Sequence, residues 1–447
     1  MHAFLALALL GVGRLGAAPD AFVLKPEWKG PVRASDTVDV DLGNSPEAFV
    51  QAAYSQIHGA LPPTALVQAW AQRLRTDPRL RRVDVVRSLA QAAGKTVKLA
   101  YSDPWANDPE LPPAGPKHGK RDIGAVMMFF FHCPGGVNCG MDWAANHVQG
   151  MQAPSPSLAW DGKPGFYDAS NPGFWRHELR DAKAAGLDFV LANVYGPDMD
   201  QEGQVKTLAQ ALAGEADPVK VALLDDTWPW GERWFGPAWQ LKPDLRDPTR
   251  AAARLYEAKW KPFFSQVPRR DWYLVDGRPL IYFYNAGKLL PLDQSASTLE
   301  RMQARFKRDF GVKPYLVVDQ AYFADPDMAR VADGRFIWDP LTWGDSADHI
   351  SWSSMHGKVL AHAMVRWDSV GRDKPGQSPG PQDRILQGPE MLKQVLDATR
   401  GADILVLATW NDLGEGTGLN RAYDYYYLGR WLAPDTFIQM IRQARGD

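Results

Sequence analysis

The chain has 447 residues, 45% of them hydrophobic and 23% charged, with a formal net charge of -2 at pH 7. Such a composition is that of an ordinary globular protein, long enough for one large core and a smaller accessory segment. A charge so near zero supplies no field to attract nucleic acid or an anionic membrane, and neither is an expected partner.

Met1 to Ala18 holds an apolar run from Ala3 to Val12, then Gly16, Ala17 and Ala18, the pattern of a signal peptide ending in small residues. A run of about ten residues is too short to cross a bilayer, and no other segment is long enough, so no membrane span is expected. The mature protein is therefore expected to be secreted or periplasmic. Residues 19–121 read as a helical segment and linker. Ser45 followed by Pro46 marks a helix start, with apolar positions at helical spacing to Ile57. Pro63 to Leu74 and Val83 to Ala93 repeat that character, and Asp103 to Arg121, rich in Pro, Gly, Lys and Asp, reads as the linker. The pattern Phe49, Val50, Tyr54, then Leu66, Trp70, Leu74, then Val85, Val86, Leu89 resembles the small helical modules called domain of unknown function 4214, over about fifty residues. Cys133 and Cys139, the only cysteines, flank a turn-rich stretch and in an exported protein are expected to form a disulfide.

From Asp122 to the end the texture is short apolar runs separated by helical stretches, the signature of repeated βα units. The runs are Ile123 to Phe131, Phe189 to Val194, Val219 to Leu224, Leu280 to Tyr284, Tyr315 to Val318, Phe336 to Trp338, Val359 to Val365 and Ile404 to Ala408. Eight runs predict an α/β fold of the (β/α)8 TIM-barrel type over 122–447. The exits of the runs are almost all polar or aromatic, as expected of a barrel that gathers its chemistry at the C-terminal ends of the strands.

The eighth run leads into Thr409, Trp410, Asn411, Asp412, Leu413, Gly414, Glu415, Gly416 and Thr417. This segment resembles the strand-eight motif of glycoside hydrolase families 71 and 99 and their relatives, in which Trp-Asn or Phe-Asn precedes an acid and, three residues on, a Glu. The Trp-Asn-Asp form is that of family 71, which acts on α-1,3-glucan; family 99 cuts α-mannosides and usually has Glu where this chain has Asp412. Glycoside cleavage needs one acid to protonate the leaving oxygen and a second carboxylate to activate water or attack the sugar. The resemblance implies Glu415 as the acid and Asp412 as base or nucleophile, with Trp410 and Asn411 beside the substrate. The alternative from the residues alone is that Asp412 and Glu415 cap the following helix or pair with Arg421.

Other strand exits supply the expected substrate contacts. Asp225 and Asp226 with Trp228 and Trp230 form the second constellation; adjacent acids point in different directions, so one either holds sugar hydroxyls or replaces Asp412. Asn193, Tyr195, Asp319, Gln320, Trp367 and Asp368 are nominated by position, and His132 binds substrate or is a satisfied core histidine. The loops from Trp228 to Pro248 and from Asp339 to His356 carry five further or shared Trp, Trp230, Trp234, Trp239, Trp343 and Trp352 among them, and are expected to wall an extended cleft. A metal-dependent barrel would show His-x-His on its first strand, which is missing, as are a phosphate loop, a dinucleotide fingerprint and a serine nucleophile elbow. No metal or cofactor is expected. The sequence thus points to a glycoside hydrolase, endo-acting on an oligosaccharide or polysaccharide of α-linked sugars. The alternative is a non-catalytic carbohydrate-binding barrel serving polysaccharide assembly or adhesion.

Overall fold

The computed structural model describes residues 21–24, 37–39, 45–76, 82–99, 111–128, 152–154, 159–160, 163–164, 169, 172–194, 201–226, 245–284, 290–343, 349–368, 384–385, 388–413, 415–427, 430–432 and 435–446. The chain divides into two compact units, 1–26 with 41–101 and 27–40 with 102–447. In the first, helices Pro46–His58, Thr64–Thr76 and Arg82–Ala92 accompany a parallel pair of short strands, Ala21–Leu24 and Thr96–Leu99. Ser45 caps the first helix, its hydroxyl accepting the Ala48 N–H at 3.1 Å.

The second unit is a barrel of nine strands: β1 (Asp122–Met127), β2 (Phe189–Val194), β3 (Lys220–Asp226), β4 (Arg278–Tyr284), β5 (Tyr315–Asp319), β6 (Gly334–Phe336), β7 (Ile350–Met355), β8 (Lys358–Met364) and β9 (Ile404–Ala408). Neighbours pair in parallel from β1 through β6, and β8 pairs in parallel with β9, which returns to β1. Each of these eight strands overlaps one of the eight apolar runs, although β6 shares only Phe336 with the run Phe336 to Trp338. They are covered on both faces, so apolar residues fill both parities and the runs read as nearly continuous.

β7 was not anticipated. It lies inside the stretch from Asp339 to His356 that was expected to form a cleft wall, and it pairs antiparallel with β8 through a two-residue turn at His356 and Gly357, both at positive φ (49° and 76°). Trp352 therefore sits on a barrel strand, partly buried against the core. Among the described residues no backbone ladder joins β6 to β7. Instead the buried hydroxyls of Ser351 and Ser353 accept the N–H groups of Ile337 (3.0 Å) and Arg335 (3.1 Å), and these bonds close the barrel.

Helices cover the outer face. Ser295–Phe310 buries Ala296, Leu299, Met302 and Phe306 along one stripe. Pro248–Leu255 starts on Asp247, whose carboxylate accepts from Thr249 and Arg250, and then widens into a π-helical turn, Tyr256–Trp260, before continuing as Lys261–Gln266. Among the described residues no helix is long and apolar enough to cross a membrane. A small antiparallel sheet, ordered Thr37–Asp39, Arg430–Leu432, Ala422–Tyr427 and Gln152–Pro154, also belongs to this unit.

Candidate active site

Strand register decides which exit residues face the barrel interior. Tyr282 aligns with Leu224 and Tyr284 with Asp226; Phe283 aligns with Val318, which sets Tyr284 level with Asp319. Residues of alternate parity point to opposite sides of a strand. Tyr282 and Tyr284 pack against Phe336 and His362, with Tyr284 stacked on Trp338 at 4.9 Å and 24°, so this parity is the interior one. Asp226, Tyr284 and Asp319 therefore line the C-terminal mouth side by side. Burial pushes the Tyr284 phenol well above its ordinary pKa, and the charges of Asp226, Asp319, Glu415 and Asp339 push the same way. That phenol stays protonated and acts as a hydrogen-bond donor, not a base.

Asp225 has the other parity. It is fully buried on the helix side, where Oδ1 accepts from Lys259 Nζ at 2.6 Å and Oδ2 from Trp260 Nε1 at 2.8 Å. The π-helical turn aims both donors at one carboxylate. Lys259 also donates to the carbonyl of Asp226, so the ion pair braces the residue that faces the mouth. Burial raises the Asp225 pKa, opposed by the Lys259 ammonium and the Trp260 indole. Asp225 is thus a scaffold residue, contrary to its expected place among the substrate contacts.

The β9 exit is a loop folded back on itself. Thr409 and Thr417 bond to each other through their hydroxyls at 2.8 Å, Thr409 Oγ1 accepts the Asp412 N–H at 2.8 Å, and Thr417 N–H donates to the Asp412 carbonyl at 3.0 Å. Asp412 Oδ1 accepts the Glu415 N–H at 3.1 Å, fixing the turn that carries Glu415. Gly416 follows at φ +65°, a conformation a side chain would strain. Asp412 is 5% exposed, whereas Glu415 is only partly buried and its charge reaches Tyr284.

Trp410 and Asn411 are fully buried and hold this loop to the barrel instead of touching substrate. Trp410 Nε1 donates to Glu178 Oε2, and Glu178 also receives Asn420 Nδ2 at 3.3 Å. Asn411 mimics a strand residue: its amide accepts Met128 N–H at 2.6 Å and donates to Met128 O at 2.9 Å. Arg421 makes a bidentate pair with Asp181 (2.6 and 2.9 Å). Burial raises the Asp181 pKa, with His177 and Arg421 opposing.

Asn193 is buried deeper in the interior, bonded to Met128 Sδ at 2.9 Å, and its Oδ1 has no partner among the described residues. Asp319 and Asp339 each accept a backbone N–H with Oδ1, from Ala321 and Leu341. Gln320 begins the 3₁₀ turn after β5, its Oε1 buried without a partner among the described residues. Trp367 lies partly buried on a two-residue strand with Asp368, paired to Arg384 and Ile385. His132, Cys133, Cys139, Tyr195, Trp228, Trp230, Trp234, Trp239 and the signal-like segment lie outside the described residues, as do the side chains of Trp343 and Asp368. No metal-binding group of His, Cys, Asp and Glu occurs among the described residues.

Sequence reasoning missed Tyr284, Trp338 and His362 as interior groups. His362 is fully enclosed, with Nε2 3.3 Å from the Trp338 carbonyl and Nδ1 lacking a partner. Donation to that carbonyl places the proton on Nε2, and burial lowers the pKa to about 4.

The fold and mouth define a (β/α)-type barrel with acids and aromatics at the strand exits. The chain belongs to the family described as domain of unknown function DUF5010, whose model matches residues 135–444. Among solved structures, the GH99 endo-alpha-mannosidase from Bacteroides thetaiotaomicron aligns with a TM-score of 0.46 at 12% identity, covering 73% of this chain and 98% of that one. That organism's GH99 endo-alpha-mannosidase with bis-tris-propane aligns at 0.48 and 13%, covering 72% and 95%. A glycoside hydrolase-like protein aligns at 0.46 and 16%, covering 76% and 98%. No curated protein matches.

Proposed function

We propose that the chain is a glycoside hydrolase, endo-acting on an extracellular or periplasmic polysaccharide of α-linked sugars. The observation that carries this reading is Glu415 held at the barrel mouth by the Asp412-capped turn, in the field of an interior phenol that Asp226, Asp319 and Asp339 also reach. Glu415 serves as the acid that protonates the leaving oxygen. Asp412, whose Oδ1 accepts the Glu415 amide, acts as base or nucleophile. Asp226, inward-facing at β3, is the other acid able to fill that role. The Tyr284–Trp338 stack offers an apolar face for a sugar ring, and the Tyr284 hydroxyl a donor. The α-linkage rests on the motif resemblance, and the location on the leader-like Met1 to Ala18.

The test is reducing-end release across a panel of α-glucans, mannans and bacterial glycans. Glu415→Gln is expected to lower kcat/KM by about 10²- to 10⁴-fold with an unchanged Tm. Undiminished turnover in that variant removes Glu415 from the chemistry. The tie of the Asp412 carboxylate to a backbone amide favours a second reading, a non-catalytic carbohydrate-binding barrel, because it gives that acid a purely structural use. Binding without cleavage across the panel would establish it.

A further inference from the structure

At the N-terminal end of the strands, away from the mouth, lies a cavity of about 120 Å³, several times the space one water needs. Its wall carries four cations, Lys117, Arg121, Arg400 and Arg445, and two carboxylates, Asp188 and Asp397. Both carboxylates are already engaged. Asp188 accepts from Lys117 (3.1 Å) and the Ile123 N–H (2.9 Å) on one oxygen and from Arg445 (3.2 Å) on the other. Asp397 is shared by Lys393 (2.6 Å) and Arg400 (3.0 Å), which hold its pKa low.

Arg121 is different. It is only 8% exposed, yet its guanidinium donates only to neutral oxygens, Leu396 O at 2.7 Å and Thr399 Oγ1 at 2.6 Å. It has no carboxylate in salt-bridge contact among the described residues; burial and the charge of Arg400 lower its pKa, opposed by the more distant charge of Asp397. Arg445, which also lines the cavity, donates to Gly186 O and Asp188 through Nη1, while its buried Nε has no acceptor among the described residues. A guanidinium withdrawn from water without a carboxylate bonded to it is unfavourable, and Asp397, already shared by Lys393 and Arg400, offsets this only in part; an anion in the cavity relieves it. The planar donor forks of two arginines suit an oxyanion with several acceptor atoms.

We propose that this cavity binds a tetrahedral oxyanion, phosphate or sulfate, held by Arg121 and Arg400 with Lys117 and Arg445 behind them. The oxyanion is either a free ion or a group pendant on a sugar. The test is calorimetric titration of the full chain with inorganic phosphate at constant ionic strength, with chloride as reference and glucose 6-phosphate as a second arm. Saturable phosphate binding is expected, weakened about tenfold or more by Arg121→Met. Should Arg121→Met not fold, Arg400→Gln, at an exposed position, decides, with an expected weakening of about threefold. Lys393→Gln, which removes a cation outside the cavity, leaves binding unchanged. Glucose 6-phosphate binding tighter than phosphate assigns the pendant group; equal binding assigns the free ion. Heats no different from chloride, or wild-type constants in Arg400→Gln, overturn the proposal.

Discussion

The exits of β3 and β9 each present two acids, and each commits one to the scaffold, by different means. At β3 the acids are adjacent, so strand alternation alone sends Asp225 to the helix layer and Asp226 to the mouth. At β9 they are three residues apart in a loop, and Asp412 caps the turn that carries Glu415 while remaining at the edge of the site. An acid sorted by strand parity loses all access to substrate. One used as a turn cap stays at the edge of the site, where structure and chemistry can share it.

The contrast is broken most directly at Asp225. Asp225→Ala strands the Lys259 ammonium in a fully buried site and is expected to cost about 3–5 kcal/mol of stability. Denaturant unfolding reads this loss; a midpoint shift under about 1 kcal/mol would mean that the pair is not what braces β3. The next largest effect concerns the interior column beneath both exits. His362 has its folded pKa lowered to about 4 from an ordinary 6.5, so its contribution is complete above about pH 6.5 and lost as pH falls toward 4. The span corresponds to roughly 3 kcal/mol. Unfolding measured between those pH values in wild type and His362→Phe is expected to show the acid loss only in the former.

Asp412 separates its two uses by substitution. Asp412→Ala removes the cap and is expected to lose about 1–2 kcal/mol, whereas Asp412→Asn keeps an accepting oxygen and most of that stability. Turnover is expected to collapse in both. An active Asp412→Asn enzyme would leave the residue as a cap only and pass the second catalytic role to Asp226. The smallest effect is at Thr417→Val, which removes the hydroxyl bonded to Thr409 and is expected to cost about 1 kcal/mol, with kcat falling more than KM changes if the loop positions Glu415.

The barrel was legible because strands buried on both faces leave nearly unbroken apolar runs, and β2 and β9 begin and end where those runs do. β7 was not, because Ile350 to Met355 mixes Ser351, Ser353 and Ser354 with Trp352, and its serines work as closing hydroxyls, a use that looks like a polar loop. Nor could the sequence say which of Asp225 and Asp226 faces the mouth, since that depends on pairing with Tyr284. Trp410 was expected beside the substrate. Its role is set by Glu178, a helix residue far earlier in the chain, and no local pattern reports that bond.

The seam between β6 and β7 bears on how the barrel breathes. Every other junction is a ladder whose amides are released only when neighbouring rungs open with them, but Arg335 and Ile337 donate to side-chain hydroxyls. Their protection against hydrogen exchange therefore measures a local parting of two staves and not global unfolding. Replacing the two serines by alanine cuts the fastening without touching any backbone ladder, turning a closed ring into an open, curled sheet whose free edges are β6 and β7.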